Sequence, residues 1–237
     1  MKNPEQAVYP YKIELHAHTS PVSACANFTP EVGLSMYKER GVDGVVITNH
    51  FYPGGGYPDM EPKAAIDKYL SDVRIARRVG EELQIKVYMG MEIRFPQNGN
   101  DYLLYGITEE DMPMLLSLLT TDIETFSKAY RAPDRLLIQA HPFRNGMAEV
   151  DPALLDGIEV FNMHPGHNSR VGFAARYAAA HPEWILTGGS DFHHLDHDGV
   201  CTLRVKELPK DEKALAALLR SQDYRLDLSG IMITPYI

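Results

Sequence analysis

The amino-acid sequence predicts an α/β protein in which parallel strands alternate with helices and close into a barrel. Short apolar runs that end in a polar residue recur about seven times, and segments with helical spacing separate them. Histidines or acidic residues stand repeatedly at the ends of these runs. Barrel enzymes build their sites at the carboxyl ends of the strands, whereas histidines placed for packing would show no preference for one end.

The first predicted strand begins at Lys12 and carries two histidines. Ile13 and Leu15 alternate with polar residues, and side chains two positions apart on a strand point to the same face. His16 and His18 therefore share one face near the strand's end. Two imidazoles at this spacing can reach one ion, although such a pair alone is a weak signal.

The next elements follow from capping and spacing signals. A helix is predicted from Thr29, an N-cap followed by proline and glutamate, to about Arg40. Residues 43–50 form a short apolar strand with a polar end, and a glycine-rich loop follows at 53–56. Apolar residues at helical spacing predict a long helix over residues 62–83 whose apolar stripe lies in the core.

The second half of the chain continues the alternation. A helix is predicted over residues 109–131 with a break near Thr120, and an alanine-rich helix over 168–180. The tail from Leu203 predicts two short strands around a helix at 211–219. The other strands are predicted at residues 85–92, 102–107, 135–141, 157–162 and 184–187.

Length and composition favour one folded domain. A chain of 237 residues with 44% hydrophobic side chains can bury a sizeable core. We expect a single domain over residues 1–237, with a barrel core over about 11–200 and a C-terminal extension, 201–237, packed on it. The two cysteines, Cys25 and Cys201, supply no disulfide framework and are expected to be reduced.

Composition also argues against some classes of function. The net charge of -9 disfavours a broad surface for nucleic-acid backbone, which needs clustered lysine and arginine. No apolar run approaches membrane-spanning length, so we expect no membrane partner. The polar N-terminus predicts no signal peptide, and we expect a cytoplasmic protein.

Ligand-competent side chains stand at the ends of several predicted strands. Each has a simpler explanation by itself, since His50 could cap the glycine loop and Glu92 could pair with Arg94. Together they form a cluster of imidazoles and carboxylates that is costly to bury unless metal ions neutralise it. The candidates are His16, His18, His50, Glu92, His141, Asp191 and His193.

Five ordered motifs make the sequence resemble the PHP family, the polymerase-associated and histidinol-phosphatase metal-dependent phosphoesterases. They are His-x-His after the first strand, a histidine closing the second, glutamate after the third, Ala-His-Pro at the fifth and Gly-Ser-Asp-x-His near the end. The resemblance covers residues 13 to about 199. It implies a distorted (β/α)7 TIM-like barrel with two or three divalent metal ions at its C-terminal face.

The resemblance also implies a set of metal ligands. Glu92 would bridge two ions, and mixed imidazole and carboxylate ligands suit Zn, Mn or Fe. The first metal would lie on His16, His18, Glu92 and Asp191, the second on Glu92 and His141, and the third on His50 and His193.

The chain departs from the family pattern at three places. Asn49 stands where the family usually has aspartate before the histidine of the second strand. The residue that would support the metal ligands by hydrogen bonding is therefore neutral in this chain. The third ligand of the first motif is missing, and Cys25 is the candidate there, either as a thiolate ligand or as a small buried residue. The histidine expected in the fourth-strand region is also missing, and Asp101 is the nearest candidate.

A phosphoesterase must overcome the repulsion between hydroxide and phosphate. Divalent ions do so by polarising the phosphoryl oxygens and lowering the pKa of a water molecule, and positive groups hold the non-bridging oxygens. Arg144, three residues beyond His141, is the first candidate for the substrate phosphate, and Arg170 is the second. A surface salt bridge is the simpler use of either arginine.

Further histidines in the loops could move a proton. His164, His167 and His194 could protonate the leaving group or orient the substrate, because histidine titrates near neutral pH, or they could be exposed loop residues. His181 and His197 are expected at the surface. The residues assigned to catalysis are Glu92, Asp191, Arg144 and His167.

These observations predict metal-dependent hydrolysis of a small-molecule phosphomonoester or a nucleotide by a metal-activated water. A nuclease or exonuclease is an alternative that needs a basic, aromatic-lined groove, where Tyr52 and Tyr57 could stack on a base. A non-catalytic metal-binding module is a second alternative, which the departures at Asn49 and Cys25 favour. A metal-dependent amidohydrolase is the third alternative. It would need a lysine at a strand end, and no predicted strand ends in lysine.

Overall fold

The structure is a computed structural model that describes residues 4–236 as a mixed α/β protein. The helices of this part of the chain are α1 (Pro4–Val8), α2 (Pro30–Glu39), α3 (Pro62–Leu83), α4 (Met112–Leu118), α5 (Ile123–Tyr130), α6 (Val171–Ala178) and α7 (Glu212–Ser221). Its strands are β1 (Tyr11–Ala17), β2 (Gly44–Ile47), β3 (His50–Phe51), β4 (Lys86–Met89), β5 (Met91–Arg94), β6 (Asp101–Tyr105), β7 (Leu136–Gln139), β8 (Gly157–Asn162), β9 (Ile185–Gly189), β10 (Thr202–Val205), β11 (Arg225–Leu228) and β12 (Ile231–Ile233).

The predicted helices form close to the positions that their capping signals indicate. Thr29 precedes α2 in the extended conformation of an N-cap, with proline in the first turn. The break predicted near Thr120 separates α4 from α5, and Asp122 caps α5 by accepting a hydrogen bond from the Thr125 backbone at 2.6 Å. None of the helices within residues 4–236 is long and apolar enough to span a membrane.

The strands form two six-stranded sheets that meet at the candidate site. The first has the order β12-β11-β10-β1-β2-β4, and the second β3-β5-β6-β7-β8-β9. The chain passes from the first sheet into the second between β2 and β3 and again at Gly90, between β4 and β5. Phe192, just beyond β9, exchanges backbone hydrogen bonds with the end of β1, accepting from His18 at 3.1 Å and donating to His16 at 3.2 Å.

The α/β class is confirmed, but the expectation of one closed, parallel barrel is wrong in part. No closed barrel is shown by the strand pairing within residues 4–236, and β6 runs antiparallel to both β5 and β7. Residues 95–100 join β5 to β6, and a connection this short cannot make the helical crossover that parallel strands need. The tail also forms three strands instead of two, because a turn at Gly230 with φ 99° lets β12 fold back on β11.

The strand β1 lies in the interior of the first sheet. Every residue from Ile13 to Ala17 is buried, and β10 covers one edge of β1 while β2 covers the other. The helix α3 buries Tyr69, Leu70 and Val73 against this core, as its apolar stripe predicts. The end of β1 is thereby held rigidly, which positions the two histidines that it carries.

Candidate metal centre

His16 and His18 lie together at the end of β1. Both side chains are fully buried, and their Nε2 atoms are 3.0 Å apart. Nδ1 of His16 donates to Oε1 of Glu159 at 2.9 Å, and Nδ1 of His18 lies 3.3 Å from Oγ of Ser23. Because each Nδ1 atom has its own partner, the Nε2 atoms of both rings are left to face a shared ligand.

Two carboxylates complete this first group. Nε2 of His16 lies 3.5 Å from Oε1 of Glu92 and 3.5 Å from Oδ1 of Asp191. Nε2 of His18 lies 3.3 Å from Oε2 of Glu92 and 3.5 Å from the same Asp191 oxygen. Ligand atoms about 2.1 Å from a tetrahedral ion are about 3.4 Å apart. The four side chains therefore have the spacing and the donor chemistry of a ligand set for a divalent ion.

A second group joins Glu92 to His141 and Asp101, all three of them buried. Nε2 of His141 lies 3.2 Å from Oε1 of Glu92 and 3.7 Å from Oδ2 of Asp101. Within the described residues, the buried Nδ1 atom of His141 has no hydrogen-bond partner. Asp101 accepts further hydrogen bonds from Arg94 at 2.7 Å and Arg144 at 2.8 Å. The structure thus brings Asp101, a candidate chosen only by its position in the sequence, into contact with this group.

A third group contains His18, His50 and His193, whose ligand atoms lie within 4.8 Å of one another. The thiol of Cys25 is within hydrogen-bonding reach of both His50 and His193. Partial desolvation raises the pKa of this thiol, but the hydrogen bonds from the two histidines outweigh it and lower the pKa to about 6. Cys25 is an exposed free thiol, so its description as a small buried residue is wrong.

The electrostatics of the first group favour charged carboxylates. Burial raises the pKa of Glu92, but the charges of His50 and His16 hold it well below its usual range. Burial likewise raises the pKa of Asp191, and His16 again outweighs it. Burial and the nearby histidines hold the pKa of His18 well below its ordinary value, so this imidazole is neutral. Burial lowers the pKa of His16, but the carboxylates around it, Glu159 foremost, hold that pKa well above its ordinary value, so His16 is the cation of this group. Ionised carboxylates and neutral imidazoles are the forms that bind metal ions, so a bound ion would take the place of the proton on His16.

Glu159 on β8 is a functional residue that the sequence interpretation missed. Its Oε1 atom holds His16, and its Oε2 atom accepts from the His141 backbone N–H and from the Asn162 side-chain amide, each at 3.0 Å. One buried carboxylate therefore orients ligands of two groups. A charged residue inside the apolar run 157–162 was the signal that could have found it, because buried charges are rare without a partner.

Two candidate ligands have an unusual backbone. His141 has φ 30° and Asp191 has φ 52°, and both follow the end of a strand. Such conformations cost residues other than glycine about 1–3 kcal/mol and persist where the surroundings hold them, commonly at functional sites. The backbone at these two positions is thus arranged to turn the side chains inward.

The loop histidines form a second layer around the centre. The rings of His164 and His167 stack with centroids 3.9 Å apart, and Nδ1 of His167 is 3.9 Å from Oδ2 of Asp191. His197 is buried, so its expected surface position is wrong. The reason is an ion pair of 2.7 Å between Arg40 and Asp198, which holds the loop against the protein. By contrast, His194 is exposed and His181 is partly exposed.

The remaining candidates lie near the centre without contacting its first group. Arg170 is exposed and donates to the Phe143 carbonyl at 3.2 Å and to the Asn145 side chain at 2.5 Å. Tyr57 is buried against Phe51, with ring centroids 4.5 Å apart, so it cannot stack on a base as expected. Tyr52 is partly exposed and lies edge-on to His50 at 5.5 Å.

Comparisons with known proteins connect this arrangement to solved structures. A scan against protein-family models and a search of curated proteins each found no match. A two-domain protein from Bacteroides vulgatus, described as containing a predicted PHP-like metal-dependent phosphoesterase, is 15% identical with a TM-score of 0.58. The similarity covers 94% of this chain and 66% of that one, so this chain spans just under two thirds of its relative.

Two further structures carry other hydrolytic activities. A lesion-specific endonuclease from Pyrococcus furiosus is 12% identical with a TM-score of 0.57, and the similarity covers 89% of this chain but 56% of the endonuclease. An amidohydrolase from Chromobacterium violaceum, with bound sulfate and no metal, is 15% identical with a TM-score of 0.50 and coverage of 88% and 96%. At these identities the likeness concerns the fold. The chain therefore shares its fold with PHP-like metal-dependent phosphoesterases, as its ordered motifs implied.

Proposed function

We propose that this protein is a metal-dependent phosphoesterase that hydrolyses a small-molecule phosphomonoester or a nucleotide. The observation that carries the proposal is the convergence of His16, His18, Glu92 and Asp191 at ligand spacing, on a fold found in PHP-like phosphoesterases. A buried set of two imidazoles and two carboxylates is costly without a cation, and within the described residues no lysine or arginine forms an ion pair with it. Its further contacts include Glu159, Ser23, Asn162 and the histidines of the other two groups.

The ligand assignment follows the three groups, except that His18 is given to the first ion alone and Cys25 joins the third. His16, His18, Glu92 and Asp191 would hold one ion, Glu92, His141 and Asp101 a second, and His50, His193 and Cys25 a third. The mixed imidazole and carboxylate donors suit Zn, Mn or Fe(II). When bound, such ions polarise phosphoryl oxygens and lower the pKa of a water molecule.

Arg144 is our candidate for holding the phosphoryl oxygens. Its Nη2 atom lies 2.8 Å from Asp101 and its side chain is largely buried, so the guanidinium stands at the edge of the second group. A guanidinium fixed in this way presents its remaining N–H groups to an anion in one orientation. Arg170, which donates hydrogen bonds to Phe143 and Asn145, is the second candidate and would neutralise the charge of an approaching phosphate.

His167 is our candidate for protonating the leaving group. It is partly exposed, its Nδ1 atom faces Asp191, and it stacks on His164, so its ring is positioned at the rim where a product alcohol would depart. Proton donation by a positioned histidine typically contributes about 10²–10⁴-fold to a rate. Glu92 and Asp191 act with it by holding the reacting centre in place.

Two observations favour a small substrate over an extended nucleic acid. The net charge is -9, and of the two tyrosines expected to stack on a base, Tyr57 is buried and only Tyr52 is partly exposed. A nuclease, an amidohydrolase and a non-catalytic metal-binding module are the alternatives that the experiment must separate from a phosphatase.

Metal analysis of the wild type and of Glu92→Ala, purified without chelator, tests the proposal. We expect at least two transition-metal ions per wild-type chain and hydrolysis of p-nitrophenyl phosphate. Glu92→Ala should lose most of the ions and, with them, this hydrolysis. Glu110→Ala, which removes an exposed carboxylate, is the matched control and should keep both properties.

The remaining outcomes identify the alternatives. Fewer than one ion per chain, with no activity after Mn or Zn is added, would overturn the proposal. Bound metal with turnover of only an oligonucleotide or only an amide would favour the nuclease or the amidohydrolase. Bound metal without any hydrolysis would leave the metal-binding module.

A further inference from the structure

A cavity of about 380 Å³ opens beside the second ligand group. It is formed mainly by the segment 142–150, which follows His141, and by Tyr177 of α6. Its volume lies within the range of about 300–1,000 Å³ that is typical of sites for small molecules. No residue of the three ligand groups lines this cavity, so it is a neighbouring space and not the metal centre itself.

Arg144 connects the cavity to the candidate metal centre. The side chain lines the cavity and at the same time donates to Asp101, a member of the second ligand group. A phosphoryl group bound at this guanidinium would therefore leave the rest of its molecule facing the cavity. Arg170 lines the same cavity, and among the described residues its hydrogen-bond partners are two neutral groups, the Phe143 carbonyl and the Asn145 side chain.

The walls beyond the arginines are apolar and aromatic. Phe143, Met147, Val150 and Tyr177 contribute to them, and the rings of Phe143 and Tyr177 meet edge to face at 5.7 Å. Aromatic pairs of this geometry readily accept a further ring. The other polar side chains of the lining are Gln139, Asn145 and Glu149.

The cavity is built before any ligand arrives. The buried Asn100 side chain donates to the Ala148 carbonyl at 2.9 Å and accepts from the Ala148 backbone N–H at 2.7 Å. These two hydrogen bonds tie the segment 142–150 to the turn between β5 and β6. Because the walls are already ordered, a ligand loses less free energy to their rearrangement. Glu149 also lines the cavity, so its wall carries one carboxylate besides the two guanidinium groups.

We infer that this cavity is the leaving-group subsite and that the substrate is a phosphomonoester whose alcohol carries an aromatic ring. The inference rests on the proposed function and adds the substrate class to it. The phosphate lies at Arg144 and Arg170, and the ring lies between Met147 and Tyr177. Hydrolysis breaks the bond between phosphorus and the leaving oxygen, the water oxygen bonds to phosphorus, and the leaving oxygen takes a proton to give an aromatic alcohol.

Two measurements test the inference, one of activity and one of binding. The first compares kcat/KM for 2-(1-naphthyl)ethyl phosphate and ethyl phosphate, whose leaving groups are both primary alcohols of similar acidity. The second measures by calorimetry how tightly the protein binds naphthylmethylphosphonate and methylphosphonate, which it cannot hydrolyse. We expect the ring to improve both quantities at least about tenfold, because it leaves water for an apolar cavity.

Substitution of Met147 locates the effect. Met147→Gln keeps the length of the side chain but makes the wall polar, and it should reduce the preference for the ring in both measurements. Met232→Gln, on β12 and outside the cavity, is the matched control and should keep the preference. Circular dichroism of both variants shows whether they are folded.

The outcomes separate this inference from the proposed function. Equal hydrolysis of both esters, with equal binding of both phosphonates, would overturn the inference and leave the phosphoesterase intact. A preference for the aromatic phosphonate that Met147→Gln removes, in a protein that hydrolyses neither these esters nor p-nitrophenyl phosphate, would overturn the phosphoesterase and the leaving-group role together. It would leave the cavity as a binding site for an aromatic anion. A preference that Met147→Gln leaves unchanged would place the ring elsewhere and overturn the subsite.

Discussion

Glu159 accepts a hydrogen bond from Nδ1 of His16 over 2.9 Å, and both side chains are almost completely buried. The two residues are 143 positions apart in the chain, on strands of different sheets. The carboxylate fixes the imidazole in the tautomer that leaves Nε2 free, and it increases the basicity of that atom. Glu159 lies outside the three candidate ligand groups but is placed to control the orientation and basicity of His16.

Replacing Glu159 by Gln should weaken metal binding without removing a ligand. The amide cannot accept from His16, His141 and Asn162 as the carboxylate does, so we expect a loss of about 10–100-fold in affinity. Competition with a chromophoric chelator measures this affinity in the purified protein. Glu110→Gln is the control, and equal affinities of the two variants would show that Glu159 does not support the site.

Gly189→Ala should disturb the contact between His16 and Glu159. An added Cβ would lie 2.4 Å from Cβ of His16 and 2.9 Å from Oε1 of Glu159, so both side chains would have to move. We expect the free energy of unfolding to fall by about 1–3 kcal/mol and metal affinity to fall with it. Gly172→Ala meets no atom within 4 Å and should change neither quantity appreciably. Chemical denaturation and chelator competition test both variants, and unchanged metal affinity in folded Gly189→Ala would contradict this account.

Asn49→Asp would restore the residue that the family usually has, yet it should destabilise this protein. The Asn49 amide donates to Thr19 at 2.9 Å and to the buried carboxylate of Asp72 at 3.3 Å, and a second carboxylate would remove these donors and add repulsion. We expect a loss of about 2–3 kcal/mol in unfolding free energy at neutral pH. Asp72→Asn in the same chain should recover most of it, and purely additive losses in a double-mutant cycle would refute the coupling.

His164 should make the protein less stable in acid. Burial lowers its pKa to about 4, and the Gly166 backbone N–H, which donates to Nδ1 at 3.0 Å, also favours the neutral ring. The unfolded chain, with a histidine pKa near 6.5, binds more protons between pH 4 and 6.5, so stability rises with pH across this window and is complete above it.

This prediction is tested by measuring the free energy of unfolding of the wild type and of His164→Gln at pH 7 and at pH 4.5. A chelator is present in each measurement so that bound metal does not contribute. Since His164 is partly exposed, we expect the wild type to lose about 1–2 kcal/mol more than the variant over this interval. The same substitution at the exposed His194 is the control. A variant that loses as much stability as the wild type would show that His164 is not held neutral.

Local signals were sufficient for most elements and for the principal ligand candidates. The cap at Thr29, the stripe along α3 and the alternation around His16 depend on neighbours a few positions away, and each element formed close to its predicted range. The motifs also pointed to a fold that solved structures share. The direction of β6 was missed, because the length of one loop, and not its strand pattern, makes it antiparallel.

The supporting contacts could not be predicted, because they join residues that are distant in sequence. Nothing near Arg144 indicates that Asp101 lies against it, and nothing near His197 indicates that the Arg40–Asp198 pair buries its loop. Cys25 is beside two histidines only because the 19–27 loop folds over the end of β1. The cavity lined by Met147 and Tyr177 likewise requires α6 and the segment after β7 to meet.

The linear order of residues was therefore enough to establish the α/β class and to name most of the candidate ligands that the structure brings together, since strand alternation and helix caps are local properties of the backbone. Tertiary packing alone decided that the strands form two sheets, that Glu159 orients His16, and that an aromatic cavity lies beside Arg144. These features depend on free energies of contact between distant segments, and such contacts exist only once the chain has folded.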